Sequence, residues 1–381
     1  MSMKKQNLLI IATLILSMLF SGCEKNDSRP VVTEKEEVNE TISLFILGDN
    51  LLHMPVINSG KKSDGTYEYS HLFDKLQPKI RNADLAVIGQ ESVFGGKVLG
   101  YSGYPLFNSP SDMGKTLVNE GFDVVLHASN HVLDKLSAGV ENTLEFWSSY
   151  PEVTVLGINE SEMDKNTIDI VGVKGAKLAL LNYTYGTNGI SMPSDKPYLV
   201  NLIDEDRILS DCRYAEDNAD FTIAFMHWGT EYSIKPDEWQ KSLAEKMCKW
   251  GVDLIVGSHP HVIEPVEWIE NENGNRMLVY YSLGNFVSRQ LEARNLLGGA
   301  ADIELKYDGE TVAIADYSFL PIVTHYDTTY TQFDVFPLKE YSNDRAIGHG
   351  VAAKDGAVSV ERFRAMVDET FDGYDVSIVD Y

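Results

Sequence analysis

Five apolar runs in this chain each lead into a short motif that carries a metal-binding group. The runs are 42–47, 85–88, 124–126, 223–226 and 254–256. The motifs that follow them are Gly48-Asp49, Gly89-Gln90-Glu91, Ser129-Asn130-His131, His227-Trp228-Gly229 and Gly257-Ser258-His259-Pro260-His261. Short apolar runs bounded by turn residues read as buried strands. In an α/β sheet, ligands bind in the crevice outside the carboxyl ends of the strands. A fold that aligns these five strand ends therefore gathers two carboxylates, one amide and several imidazoles at one edge. The pattern points to the α/β class and to a metal centre, with metal-dependent hydrolysis as the expected chemistry.

The individual residues differ in weight. In an extended segment, side chains at i and i+2 point the same way, so His259 and His261 are expected to face one site, one to each of two ions. His227 ends a strand, where a lone histidine is more often structural than a ligand; Trp228-Gly229 after it marks a tight loop. Asn130 offers an amide oxygen to a metal, and His131 beside it can face the substrate. The same dipeptide also occurs as an ordinary asparagine-stabilised turn. Asp49 and Glu91 can cap a helix, yet the longer Glu91 can also bridge two ions. Neutral imidazoles suit Zn, Fe, Mn or Ni, and carboxylates favour the harder ions among them. Two ions about 4 Å apart can share a water and lower its pKa for attack on a phosphoester or an amide.

The remaining sequence alternates strand and helix. Further strands are expected at 153–156 and 178–182. Helices are expected at 110–120, from Ser137 to about Trp147, and at 236–250, where Trp239, Leu243, Met247 and Trp250 recur at helical spacing. After Met277 the character changes to strands at 277–281, 302–307 and 311–318, with Asp308-Gly309 as a hairpin turn. That half is expected to form a β-rich layer packed on the first. The domain is bounded as 41–325, with 326–381 as a C-terminal extension holding one helix at 359–370. Cys212 and Cys248 are expected to be unpaired thiols, since two cysteines make no disulfide framework.

The N-terminus reads as a targeting segment. Lys4 and Lys5 precede an apolar run that ends at Ser21-Gly22-Cys23, the layout of a signal peptide over 1–22. The ending resembles a bacterial lipoprotein signal, which implies lipidation at Cys23 and an extracytoplasmic face of the bacterial cell membrane. Residues 23–40 are polar and Glu-rich and read as a tether. A formal net charge of −25 excludes nucleic acid as a partner, because that needs clustered cations.

Taken in order, Gly48-Asp49, Gln90-Glu91-Ser92, Ser129 to Asp134, His227 to Tyr232, 257–261 and Tyr281-Ser282-Leu283-Gly284-Asn285-Phe286 resemble the CapA family of capsule and poly-γ-glutamate synthesis proteins, over roughly 43–287. That family's domain is similar to calcineurin-like metallophosphoesterases. The resemblance implies a four-layer αββα sandwich with two facing sheets, and a divalent metal cofactor of two ions (Mn, Fe or Zn). By position, Asp49 and His261 would hold the first ion, Glu91 would bridge, and Asn130, His227 and His259 would hold the second. His131 would be the catalytic acid. Asp134, Trp228, Tyr281 and Asn285, inside the same motifs, are expected to face the substrate. Leu51 stands where metallophosphoesterases usually carry a histidine, and Gly89 where they carry an asparagine.

The implied partners are poly-γ-glutamate or another anionic envelope polymer, membrane synthase subunits, and the membrane through the lipid. Three readings follow: a metal-dependent hydrolase in capsule biosynthesis or export, a non-catalytic lipoprotein that binds the polymer or its synthase, and an extracytoplasmic phosphodiesterase.

Overall fold

A computed structural model describes residues 38–379. The signal segment, Cys23 and nearly all of the tether lie outside the described residues. The described strands are β1 (Glu40–Asn50), β2 (Leu85–Gln90), β3 (Val124–Leu126), β4 (Thr154–Leu156), β5 (Asp169–Val173), β6 (Ala176–Thr184), β7 (Phe221–His227), β8 (Leu254–Ser258), β9 (Val266–Glu270), β10 (Arg276–Tyr280), β11 (Asn285–Val287), β12 (Leu297–Tyr307), β13 (Val312–Tyr326), β14 (Phe333–Pro337) and β15 (Ser377–Ile378).

They form two sheets. The first runs β14-β13-β12-β1-β2-β3-β4, with β11 beside β1 and β15 beside β13; the second runs β5-β6-β7-β8-β10-β9. Strands β1 to β4 are parallel, as are β6, β7, β8 and β10. Parallel strands with both faces covered read as continuous apolar runs. Accordingly β2 and β7 are buried along their whole length.

The side-chain alternation of the second sheet separates its faces. Ile223, Phe225, Leu254, Val256, Leu278 and Tyr280 enter the main core, which also holds Leu44, Ile46, Val87 and Ile88 of the first sheet. Ala224, Met226, Ile255, Met277 and Val279 face the other way, onto Ile208 and Cys212 of the helix Glu205–Asn218 and Leu243, Ala244 and Met247 of the helix Glu238–Lys249. Asp237 starts the latter helix with a reciprocal cap: its side chain accepts from Gln240 N, and Gln240 Oε1 accepts from Asp237 N. Val56, Ile57, Ile80, Met113 and Leu117, from the helices Met54–Ser59, Gln77–Asn82 and Asp112–Glu120, join the main core. The expected helix, sheet, sheet, helix arrangement is the one found.

Two expectations change. The strands after Met277 do not make a layer of their own. β10 inserts into the second sheet beside β8, and β12 to β14 extend the first sheet antiparallel from β1. A parallel neighbour for β8 and an edge partner for β1 were both needed, and local patterning cannot say which later strand supplies them. Nor is 326–381 an appendage. A boundary at 325 falls inside β13, β14 pairs with that strand, and the helix Val360–Phe371 buries Phe363, Val367 and Phe371 in the main core. The whole of 38–379 belongs to one compact unit. Cys212 and Cys248 are free and buried.

Candidate metal centre and cleft

Parallel strands in both sheets end at one edge, and the predicted ligands meet there. Asp49 sits near the end of β1, where its N–H donates to Gly284 O at 3.0 Å and the strand pairs with Asn285. Gly48 permits this approach: a Cβ there would lie 2.0 Å from Gly284 O. Gly257 does the same on β8, where a Cβ would lie 1.9 Å from Tyr281 O. Both glycines are needed for closeness rather than for a special dihedral.

Glu91 is the centre of the arrangement. It is 2% exposed, and neither of its carboxylate oxygens has a hydrogen-bond partner among the described residues. Its Oε1 lies 3.9 Å from His227 Nε2 and 3.9 Å from His261 Nε2. Asp49 Oδ1 lies 3.7 Å from His227 Nδ1, and Asp49 Oδ2 accepts the His259 N–H at 3.0 Å. Asn130 Oδ1 is 3.0 Å from His227 Nε2. A void of about 20 Å³ lies between Asp49, Glu91, Ser129 and His227. His259 Nδ1 is also buried without a partner.

The electrostatics follow from burial. Without a counter-charge, desolvation pushes Asp49 up to about 7 and Glu91 well above the ordinary carboxyl range. It drives His227 far down, His259 to about 3 and His261 to about 4. A buried carboxylate with no donor costs several kcal/mol unless something pairs with it. Neutral imidazoles and deprotonated carboxylates are the forms a metal ion takes as ligands. The orphaned Glu91 oxygens, the orphaned His259 nitrogen and the N/O donor set therefore fit a divalent cation.

His259 and His261 reach the site by a different route from the one expected. They are not in an extended segment. Their φ values are 98° and 58°, in a region that non-glycine residues seldom adopt and that costs about 1–3 kcal/mol each. The turn, with Pro260 between them, brings the two rings within 5.9 Å.

Asn285 is an orienting residue. Its Oδ1 takes the Nδ1 side of His261 at 3.0 Å, and its Nδ2 lies 2.9 Å from Asn295 O and 2.8 Å from Gln290 Oε1. This leaves His261 Nε2 free to take an ion. Ser258 Oγ does the same for His227, 3.0 Å from Nδ1. Asp134 accepts from His131 Nδ1 at 2.7 Å and from Phe107 N at 2.6 Å. That fixes the proton on Nδ1 and leaves Nε2 of His131 for a substrate.

Trp228 and Tyr281 do not face a substrate. Both are fully buried in the core beneath the two helices of the second sheet, Trp228 Nε1 donates to Tyr281 O at 3.0 Å, and Tyr281 OH donates to Glu267 Oε1 at 2.8 Å. Alternation explains it: Trp228 follows His227, so the two side chains leave the strand on opposite faces.

A cleft of about 360 Å³ opens over the centre, lined by His131, Asp134, Glu231, Tyr232, His261, His53 and Leu51 among others. A second cavity of about 410 Å³ shares His53, Tyr104, Tyr232 and Gln290 with it and is also lined by Arg289. Arg289 is the one Arg or Lys lining either space. It stacks on Tyr330 at 4.4 Å, its Nε is buried without a partner, and it makes no ion pair among the described residues. The sequence reading assigned no role to Arg289, Glu231, Ser258 or Asn188. Glu231 was within reach, inside the quoted 227–232 motif. Asn188, whose Oδ1 accepts from Asn130 Nδ2 at 3.2 Å, lies in a loop with no pattern to flag it.

A family model described as bacterial capsule synthesis protein PGA_cap matches residues 43–290. The chain is 26% identical over 322 residues to a capsule biosynthesis protein CapA of Bacillus anthracis, covering 81% of this chain and 75% of that one. It is 27% identical over 319 residues to a PGA biosynthesis protein CapA of Bacillus subtilis strain 168, covering 79% and 76%. Among solved structures, a 5'-nucleotidase precursor from Thermus thermophilus aligns over 87% of this chain at 12% identity and a TM-score of 0.45. This chain spans 58% of that protein.

Proposed function

The chain belongs to the bacterial capsule synthesis protein family PGA_cap, and from that premise we propose that it is a metal-dependent hydrolase of an extracytoplasmic polymer in capsule biosynthesis or export. The polymer proposed is poly-γ-glutamate or another anionic envelope polymer, and the proposed address is the outer face of the cell membrane, held by lipid on Cys23. The observation that carries the catalytic part is Glu91: a fully buried carboxylate with two unpaired oxygens, facing Asp49, His227 and His261. A structural carboxylate would have found donors.

A bound divalent ion would supply a nucleophilic water at neutral pH and would polarise the bond to be cut. The residues proposed to hold two such ions are Asp49, Glu91 and His261 on one side, and Asn130, His227 and His259 with Glu91 on the other. His131, with Nδ1 held by Asp134, presents Nε2 to the cleft and protonates the leaving group there. Phe107 packs edge-on against the His131 ring at 4.6 Å and keeps it in place. Tyr104 and Tyr232 give the cleft aromatic walls, and Arg289 supplies one cationic contact for an acidic group on the substrate.

The test is metal analysis of the purified protein, then turnover of a panel of phosphodiesters and γ-glutamyl peptides with and without chelator. Metal-dependent turnover of either class is expected. Tight metal binding with no turnover across the panel would favour the polymer-binding subunit instead.

A further inference from the structure

Two groups of side chains at the centre can each offer ligand atoms that lie within 4.8 Å of one another: Asp49, Glu91 and His261, and Glu231, His259 and His261. His261 belongs to both. Its Nδ1 is engaged by Asn285, so only Nε2 is free. One imidazole nitrogen serves one ion, so the two groups are not independent sites. They are two faces of one centre: a buried face with two carboxylates, and a face turned toward the cleft.

The cleft face has its own unmet demand. His259 is 2% exposed with Nδ1 unpaired. Leu51, buried in the cleft wall, brings no donor atom from the end of β1. Glu231 is the exposed member of the second group, and its backbone is tied to the histidine turn. Trp228 N donates to Ser258 O at 3.1 Å, and Tyr232 N donates to Pro260 O at 2.8 Å. The segment carrying Glu231 is therefore clamped at both ends to the segment carrying His259 and His261.

We propose that Glu231 is a metal ligand that closes the cleft face of the centre, joining the divalent cation that His261 would share with Asp49 and Glu91, beside His259. The assignment rests on the metal-centre reading above and adds a carboxylate to it. A third carboxylate makes the donor set richer in oxygen. That shifts preference toward Mn²⁺ relative to Zn²⁺.

Calorimetric titration of full-length protein with Mn²⁺ and with Zn²⁺ tests this, on wild type, Glu231→Gln and Glu292→Gln. Glu292 lines the neighbouring cavity and controls for general loss of negative charge. Glu231→Gln is expected to weaken Mn²⁺ by about tenfold or more, with a smaller loss for Zn²⁺, while Glu292→Gln leaves both unchanged. Equal Mn²⁺ affinity and stoichiometry in Glu231→Gln and wild type would overturn the assignment. So would an equal loss in the control, or a wild type that binds neither ion. The two readings fail separately. A wild type that binds Mn²⁺ without turning anything over removes the hydrolase and leaves Glu231 a ligand. Metal-dependent turnover with an unaltered Glu231→Gln affinity does the reverse.

Discussion

At the scale of single residues, the proposed site divides into groups that would hold an ion and groups that would move a proton or place a substrate. His131 is oriented by Asp134 and lies outside both ligand groups. His131→Ala is therefore expected to keep its fold and near-normal metal content while kcat falls by roughly 10²–10⁴, the usual contribution of a positioned acid or base. Glu91→Ala should lose metal and turnover together, because its oxygens face two of the imidazoles. Equal metal loss in both variants, measured by elemental analysis, would contradict this division. Arg289 makes a third case. Its guanidinium has no acidic partner among the described residues, and the residue lines the second cavity. Arg289→Gln should raise KM for a γ-glutamyl oligomer about tenfold and leave turnover of a small neutral-ended substrate unchanged. An equal effect on both would make it a structural residue.

At the scale of elements, much of the fold was legible because buried parallel strands and amphipathic helices write strong local patterns. β2, β7 and β8 stand out as apolar runs, and the helix Glu238–Lys249 shows its apolar stripe. The candidate ligand positions were legible because each follows such a run. What could not be read was pairing between distant segments. Nothing local says that β10 joins the second sheet or that β12 borders β1. The left-handed turn at His259 and His261 was equally hidden, since positive φ is uncommon at any residue but glycine. β14 pairs with β13, a partner that local pattern does not name, so the C-terminal region looked like an extension. The strand crossings supply a further prediction. Gly48→Ala and Gly257→Ala place a Cβ about 2 Å from a carbonyl oxygen. Each should cost roughly 1–3 kcal/mol in denaturant unfolding and weaken metal binding by displacing Asp49 or His259. Wild-type stability in both would mean that the strand ends are slack.

At the scale of the whole molecule, an interior holding several carboxyls with raised pKa ties stability to pH and to metal. Away from the centre, burial pushes Asp253 up to about 7 and Glu264 up to about 8. In both, the folded form holds the proton more tightly than the unfolded chain does. The stabilisation is complete below the unfolded values near 4 and is lost as pH rises through 7 and 8, by at most about 1.4 kcal/mol per pH unit per group. Glu264→Gln should flatten the fall in Tm between about pH 5 and 8; an unchanged slope would show that this carboxyl is ionised throughout. Ligand-site carboxyls follow the same rule only until an ion neutralises them. The central claim is that the buried, partnerless carboxylate and imidazole cluster is a metal centre. Its most direct measurement is the Tm of chelator-stripped wild type and of Glu91→Gln as Mn²⁺ or Zn²⁺ is added back. The wild type is expected to rise by several degrees and to retain ion through gel filtration, since binding to the folded state alone stabilises by mass action. Glu91→Gln should show neither. A wild type whose Tm and metal content do not respond to any divalent ion would contradict the account.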